Sequence, residues 1–126
     1  MVLKPSPYTS LCTLKLGELL RDILPAGVLS IVSGGNDVGS WLTTHPDDWD
    51  LAIVDVFLKE GNGIGVVAAC RLRGADQKLV VLTNYASPGV RDQCLKLGAD
   101  AVFDKSHDID NLVDFCLQQS TGLQKT

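Results

Sequence analysis

Three polar residues of this 126-residue chain stand where apolar runs give way to turns: Asp55 after "DLAIV", Thr83 after "KLVVL" and Lys105 after "DAVFD". Brought together, a carboxylate, a hydroxyl and an ammonium make a reactive acid with a cation beside it. Taken singly, each has a plainer use. A lone Asp is often the polar stop of a buried strand, Thr is a good strand former, and a Lys at a sheet edge is commonly just solvated. The elements that carry the three decide between these uses.

Apolar runs alternate with helix-like patterns along the chain. "SLCTLKLGELLRDIL" (residues 10–24) has leucines at helical spacing and is stopped by Pro25 and Gly27. "VLSIVSG" (28–34) is β-branched and predicts a strand, and "NDVGSWLTTH" (36–45) a short helix before Pro46. "DLAIVDV" (50–56) and "KLVVLTN" (78–84) are apolar on both faces, as buried parallel strands are. "GIGVVAACRLRG" (63–74) predicts a helix, and "SPGVRDQCLKLGA" (87–99) another, with Ser87 as N-cap, Pro88 at the first helical position and Gly98 as its end. "DAVFDKS" (100–106) is a strand and "DIDNLVDFCLQQ" (108–119) a final amphipathic helix led by Asp108 or Asp110, with a frayed tail. The alternation predicts a doubly wound α/β fold with a parallel sheet of about five strands, flavodoxin-like in class. In such sheets reactive groups collect at the carboxyl ends of the strands, where Asp55, Thr83 and Lys105 lie.

Composition narrows the function further. The apolar fraction is 45%, the charged fraction 21% and the net charge −4, without a Lys/Arg cluster, which argues for a globular protein and against nucleic-acid binding. No apolar run has the ~18–20 residues of a membrane span, and "MVLKPSPYTS" lacks a signal-peptide core, so the expected compartment is cytoplasmic. Cys12, Cys70, Cys94 and Cys116 form no CxxC pair and are expected to be small buried or half-buried thiols. His45 and His107 are single and loop-placed.

The order carboxylate, hydroxyl, ammonium on successive strand ends resembles the receiver domain of two-component response regulators. Leu58 and Gly63 follow Asp55 at the family's offsets, and "VVLTNYASPGVRDQCLKLGADAVFDKS" resembles its fourth strand, fourth helix and fifth strand, with the "LGAD" turn. The resemblance is specific over about residues 50–116, within a single receiver-like domain spanning 1–126. It implies that Asp55 accepts a phosphoryl group from a histidine kinase, that Lys105 pairs with the carboxylate or the phosphoryl oxygens, and that Thr83 is a switch hydroxyl. It also implies signalling through the face of the fourth helix, fifth strand and fifth helix, where Tyr85, Val90, Arg91 and Val102 draw attention.

The resemblance fails at the metal site. Receivers hold Mg²⁺ with an acidic pair after the first strand, which neutralises charge during transfer to an anionic carboxylate. The first 17 residues contain no Asp or Glu, and the pair's place falls near Pro7 and Tyr8. Asp37 is a remote substitute, and Asp104 should point away by strand alternation. Pro5 and Pro7 leave the first strand short or distorted. Val102 replaces the aromatic that many receivers carry three residues before the lysine, Ser106 the proline after it, and Lys59 a proline after "D-x-x-L".

The expectation is therefore an atypical single-domain receiver acting as a signalling protein-interaction module, not an enzyme, without normal Mg²⁺-dependent phosphorylation. Its partner would be a histidine kinase, a downstream effector or a second copy. The alternative is a functional phospho-receiver of a phosphorelay, accepting phosphoryl on Asp55 and then needing Mg²⁺. A flavodoxin-like ligand binder is a third class, disfavoured because "SGGND" lacks the GxGxxG spacing.

Overall fold

A computed structural model describes residues 1–45, 49–56 and 63–123, the last four of these by their backbone. Contacts divide the chain into two compact units, Met1–Leu42 and Thr43–Thr126.

In the first unit, β1 (Val2–Leu3) pairs in parallel with β2 (Ser30–Ile31), Val2 opposite Ser30 and Leu3 opposite Ile31. The short β1 follows from Pro5 and Pro7, which have no N–H to give a ladder. Pro7 instead opens a 3-10 turn, Pro7–Thr9, capped by Ser6, whose hydroxyl accepts from the Tyr8 amide. α1 (Ser10–Leu20) follows, ending four residues before the predicted Leu24, and α2 (Asn36–Thr44) begins in this unit and runs two residues past its end. The leucines of α1 stand at helical spacing. Leu11, Leu14, Leu16 and Leu19 are all exposed, and no α1 side chain is fully buried. α1 meets β2 at Gly17, where an added Cβ would lie 2.6 Å from Ile31 Cδ1.

In the second unit, β3 (Leu51–Val54), β4 (Lys78–Thr83) and β5 (Ala101–Asp104) form a parallel sheet in the order β3-β4-β5. α3 (Gly63–Ala69), α4 (Pro88–Lys96) and α5 (Ile109–Leu123) connect or follow these strands. α5 runs on through Leu123, past the predicted end at 119, so "STGL" continues the helix instead of fraying. β4 lies between two strands, and Leu79, Val80, Val81 and Thr83 have no exposure. β3 departs from the two-faced burial expected of it, because Ile53 is 49% exposed.

α4 starts as its residues dictate: Pro88 needs no N–H partner in the first turn, and Ser87 Oγ accepts from the Val90 amide at 3.4 Å. It ends at Gly98, whose φ of +106° is open to glycine at little cost; the Gly98 and Ala99 amides return to Leu95 and Cys94 carbonyls. Of the cysteines, Cys70 and Cys94 are buried as expected, and burial pushes both thiols up from their ordinary range. Cys12 is exposed, against expectation, since α1 buries no face.

Candidate functional site

Asp55 follows β3 directly, and its position depends on a glycine. A Cβ on Gly63 would collide with the Asp55 carbonyl oxygen and fall 2.5 Å from Val56 Cα. Only a residue without a side chain lets the start of α3 approach the backbone that holds Asp55. Gly63 therefore has the place expected of it; Leu58 and Lys59 lie outside the described residues.

The three sequence-predicted residues are carried on adjoining strands, and two are joined by their side chains. Lys105 Nζ donates to Asp55 Oδ2 at 2.5 Å, with the two side chains 34% and 30% exposed. The parallel register produces this pairing: Val54 lies opposite Val81 and Thr83 opposite Asp104, so residues 55 and 105 both leave the sheet at its carboxyl edge. Thr83 is held between them through the backbone, its carbonyl accepting from the Lys105 amide at 2.9 Å. Its hydroxyl, fully buried, accepts from the Tyr85 amide at 3.3 Å.

Asp104 points elsewhere, as alternation requires, taking the Ser106 amide at 2.7 Å and facing His107 Nδ1 at 3.2 Å. The Ser106 hydrogen bond, above all, holds the Asp104 carboxyl below its ordinary range. Among the described residues no group of three His, Cys, Asp or Glu side chains is placed to hold a metal ion. Pro7 and Tyr8 sit in a 3-10 turn and offer no carboxylate, and Asp37 lies in the first turn of α2.

Behind the strand ends, Arg91 gathers the neighbouring loops. Its guanidinium donates to the Ala86 carbonyl at 3.0 Å, the Val102 carbonyl at 2.6 Å and Asp108 Oδ2 at 2.7 Å. Asp108 also takes the Asp104 amide at 3.0 Å, and Arg91, first among several contacts, holds its carboxyl below the ordinary range. One planar cation thus ties α4, the loop after Thr83, β5 and the start of α5. Sequence reading placed Arg91 on a contact face and missed this clamp; "SPGVRDQC" followed by "DKSHD" gives the two charges but not their meeting. Tyr85 is exposed and Val90 half-buried. Val102 is corrected: it is 7% exposed and opposite Val81, so it belongs to the core. Its neighbour Phe103 meets the Phe115 ring edge-on at 6.0 Å.

The same architecture recurs in solved structures. A receiver domain of a DNA-binding response regulator from Colwellia psychrerythraea matches with a TM-score of 0.66 at 17% identity, covering 95% of this chain and 97% of that one. A CheY-like receiver from Methanospirillum hungatei gives 0.64 at 20%, covering 99% and 97%. The fold is that of a response-regulator receiver domain. A response regulator from Burkholderia pseudomallei, solved with a phosphorylated aspartic acid, a calcium ion and citrate, gives 0.60 at 22% over 99% of this chain and 74% of its own.

Sequence comparison finds similarity to aldehyde dehydrogenases. The aldehyde dehydrogenase family matches residues 1–52. Aminoaldehyde dehydrogenase 2 of Solanum lycopersicum is 34% identical over 121 residues, 92% of this chain and 20% of its own length. Aldehyde dehydrogenase LUC3 of a Fusarium species is 46% identical over 46 residues, 36% of this chain and 10% of its own length. The chain thus spans a fifth or less of these relatives. Among the described residues no helix is long and apolar enough to cross a membrane.

Proposed function

We propose that this chain is a receiver-fold signalling module that works by binding a protein partner, with its state set by the Asp55–Lys105 pair and by that partner instead of by Mg²⁺-dependent phosphorylation. The observation that carries this reading is the ion pair at 2.5 Å on the carboxyl edge, in a chain whose first 17 residues hold no carboxylate side chain. Lys105 already supplies the charge that would otherwise have to come from outside. The contact face is that of α4, β5 and α5, with Tyr85 exposed on its rim and Arg91 fixing its shape. The partner is a histidine kinase, a downstream effector or a second copy, and the chain turns over no substrate of its own.

A second reading keeps the site chemically active, and the third-exposed Asp55 carboxylate favours it. An Asp55 oxygen would attack the phosphorus of a phosphorylated donor, the bond from phosphorus to the leaving group would break, and the leaving group would keep the electron pair. Intact-protein mass spectrometry after acetyl phosphate treatment, with and without Mg²⁺ and alongside Asp55→Asn, separates the two. No adduct is expected. An adduct requiring both Mg²⁺ and Asp55 overturns the first reading.

The dehydrogenase match over residues 1–52 motivates a third reading, aldehyde oxidation. The chain's small share of those relatives weighs against it, and an aldehyde-dependent NAD⁺ or NADP⁺ reduction assay is expected to give no turnover.

A further inference from the structure

We propose that the chain self-associates through α1, two copies crossing antiparallel on an apolar stripe made of Cys12, Leu16, Leu19 and Ile23. This does not rest on the reading of Asp55, Thr83 and Lys105.

The stripe is first a matter of spacing. Its residues follow one another at intervals of four, three and four, the pattern of a two-helix seam. On a helix they share an arc of about 60°. Cys12, Leu16 and Leu19 lie in α1. Ile23 stands in the turn that continues it, where the Ile23 and Leu24 amides both return to the Leu20 carbonyl. All four are exposed, the three aliphatic side chains by 47% to 73%. Gly17, where α1 meets Ile31 of β2, lies about 130° away round the helix, so the stripe is not the side that meets the strand. A continuous apolar row open to water marks a contact surface.

Symmetry and charge name the occupant. Turned antiparallel about a two-fold axis, the row is its own complement: Leu16 meets Leu19 of the second copy, and Cys12 meets its Ile23. One flank of the stripe carries Lys15 and Asp22, and the same operation sets each Lys15 beside the Asp22 of the other copy. Two ion pairs then bracket the seam. A parallel arrangement would set Lys15 against Leu20, with no charge to meet. In the single chain Lys15 pairs with Glu18 at 2.7 Å and Asp22 with Arg21 at 3.5 Å, and all four side chains are well exposed, so exchanging partners costs little. One face of a helix this short buries less than a standard interface, which makes the dimer weak and concentration-dependent.

Sedimentation equilibrium of the reduced chain over a wide range of concentration tests this. The mass is expected to rise from 13.5 kDa towards twice that value. Leu19→Lys, at an exposed position and with its fold checked by circular dichroism, is expected to weaken the dimer by about ten-fold or more. Lys15→Glu and Asp22→Lys are each expected to weaken it by about two- to five-fold, and the double substitution to restore it. Orientation is read by thiols. Oxidised Ile23→Cys is expected to give a dimer linked between the introduced thiol and Cys12 of the second copy, and the oxidised wild type no link from Cys12 to Cys12. A chain that stays monomeric at every concentration overturns the proposal and gives the stripe to a different protein. A dimer that Leu19→Lys leaves intact, or a link from Cys12 to Cys12, overturns it as well.

Discussion

In residues 1–42 each strand of the β1–β2 ladder is two residues long and only Pro5 is buried; in the sheet β3-β4-β5 the central strand alone has four side chains with no exposure. Both regions are built of short parallel strands and helices. What separates them is that β4 has a strand on each side, which covers its edges, and helices of its own unit to cover its faces. Regular structure is cheap to repeat. A core needs a central element covered on all sides, and among the described residues only the second region has one.

The largest effects should therefore come from β4. Leu79→Ala is expected to cost about 2–5 kcal/mol in urea unfolding, against under about 1 kcal/mol for Leu14→Ala in α1. Equal costs would erase the contrast between the regions. Gly63→Ala comes next, at roughly 1–3 kcal/mol, because its methyl must displace the backbone at Asp55 and Val56. Circular dichroism melts check this, and an unchanged midpoint would mean that the α3 approach is looser than described.

Acid should act on the second region through the Arg91 corner. Asp108 has its folded pKa lowered, chiefly by Arg91, so its contribution is present above the ordinary carboxylate value of 3.8. It is lost as pH falls through the lower folded value. Urea midpoints are expected to fall with pH in that window for the wild type and to fall less for Arg91→Ala, which removes the largest cause of the shift. Parallel slopes would break this account. The smallest effect is expected at the site itself: Asp55→Asn should change stability by no more than about 1 kcal/mol, since a pair a third exposed is well screened. A larger loss would make the pair structural instead of a site held ready.

Sequence reading succeeded where local chemistry dictates the outcome. Ser87-Pro88 starts α4, Gly98 ends it, Gly63 opens α3, and alternation turns Asp104 away from Lys105. The Asp55–Lys105 pair was legible because three strand ends in sequence order must share an edge of a parallel sheet. It failed where the answer depends on what lies across a gap. Leucine spacing in α1 marks an apolar stripe without supplying a neighbour to cover it. Val102 and Phe103 alternate, but alternation alone does not say which of them faces the core. The prolines at 5 and 7 were the available signal that β1 would be short.

The placement of Thr83 has a consequence for time. An exposed hydroxyl turns in picoseconds to nanoseconds, with no effect on its neighbours. That of Thr83 is enclosed in the sheet and occupied by the Tyr85 amide, while the Thr83 carbonyl holds the Lys105 amide. Rotating it means releasing the hydrogen bond that it accepts from the Tyr85 amide. Where the loop moves with it, the step falls in the nanosecond-to-microsecond range of loops. A hydroxyl placed in this way turns on the clock of its loop and not on its own.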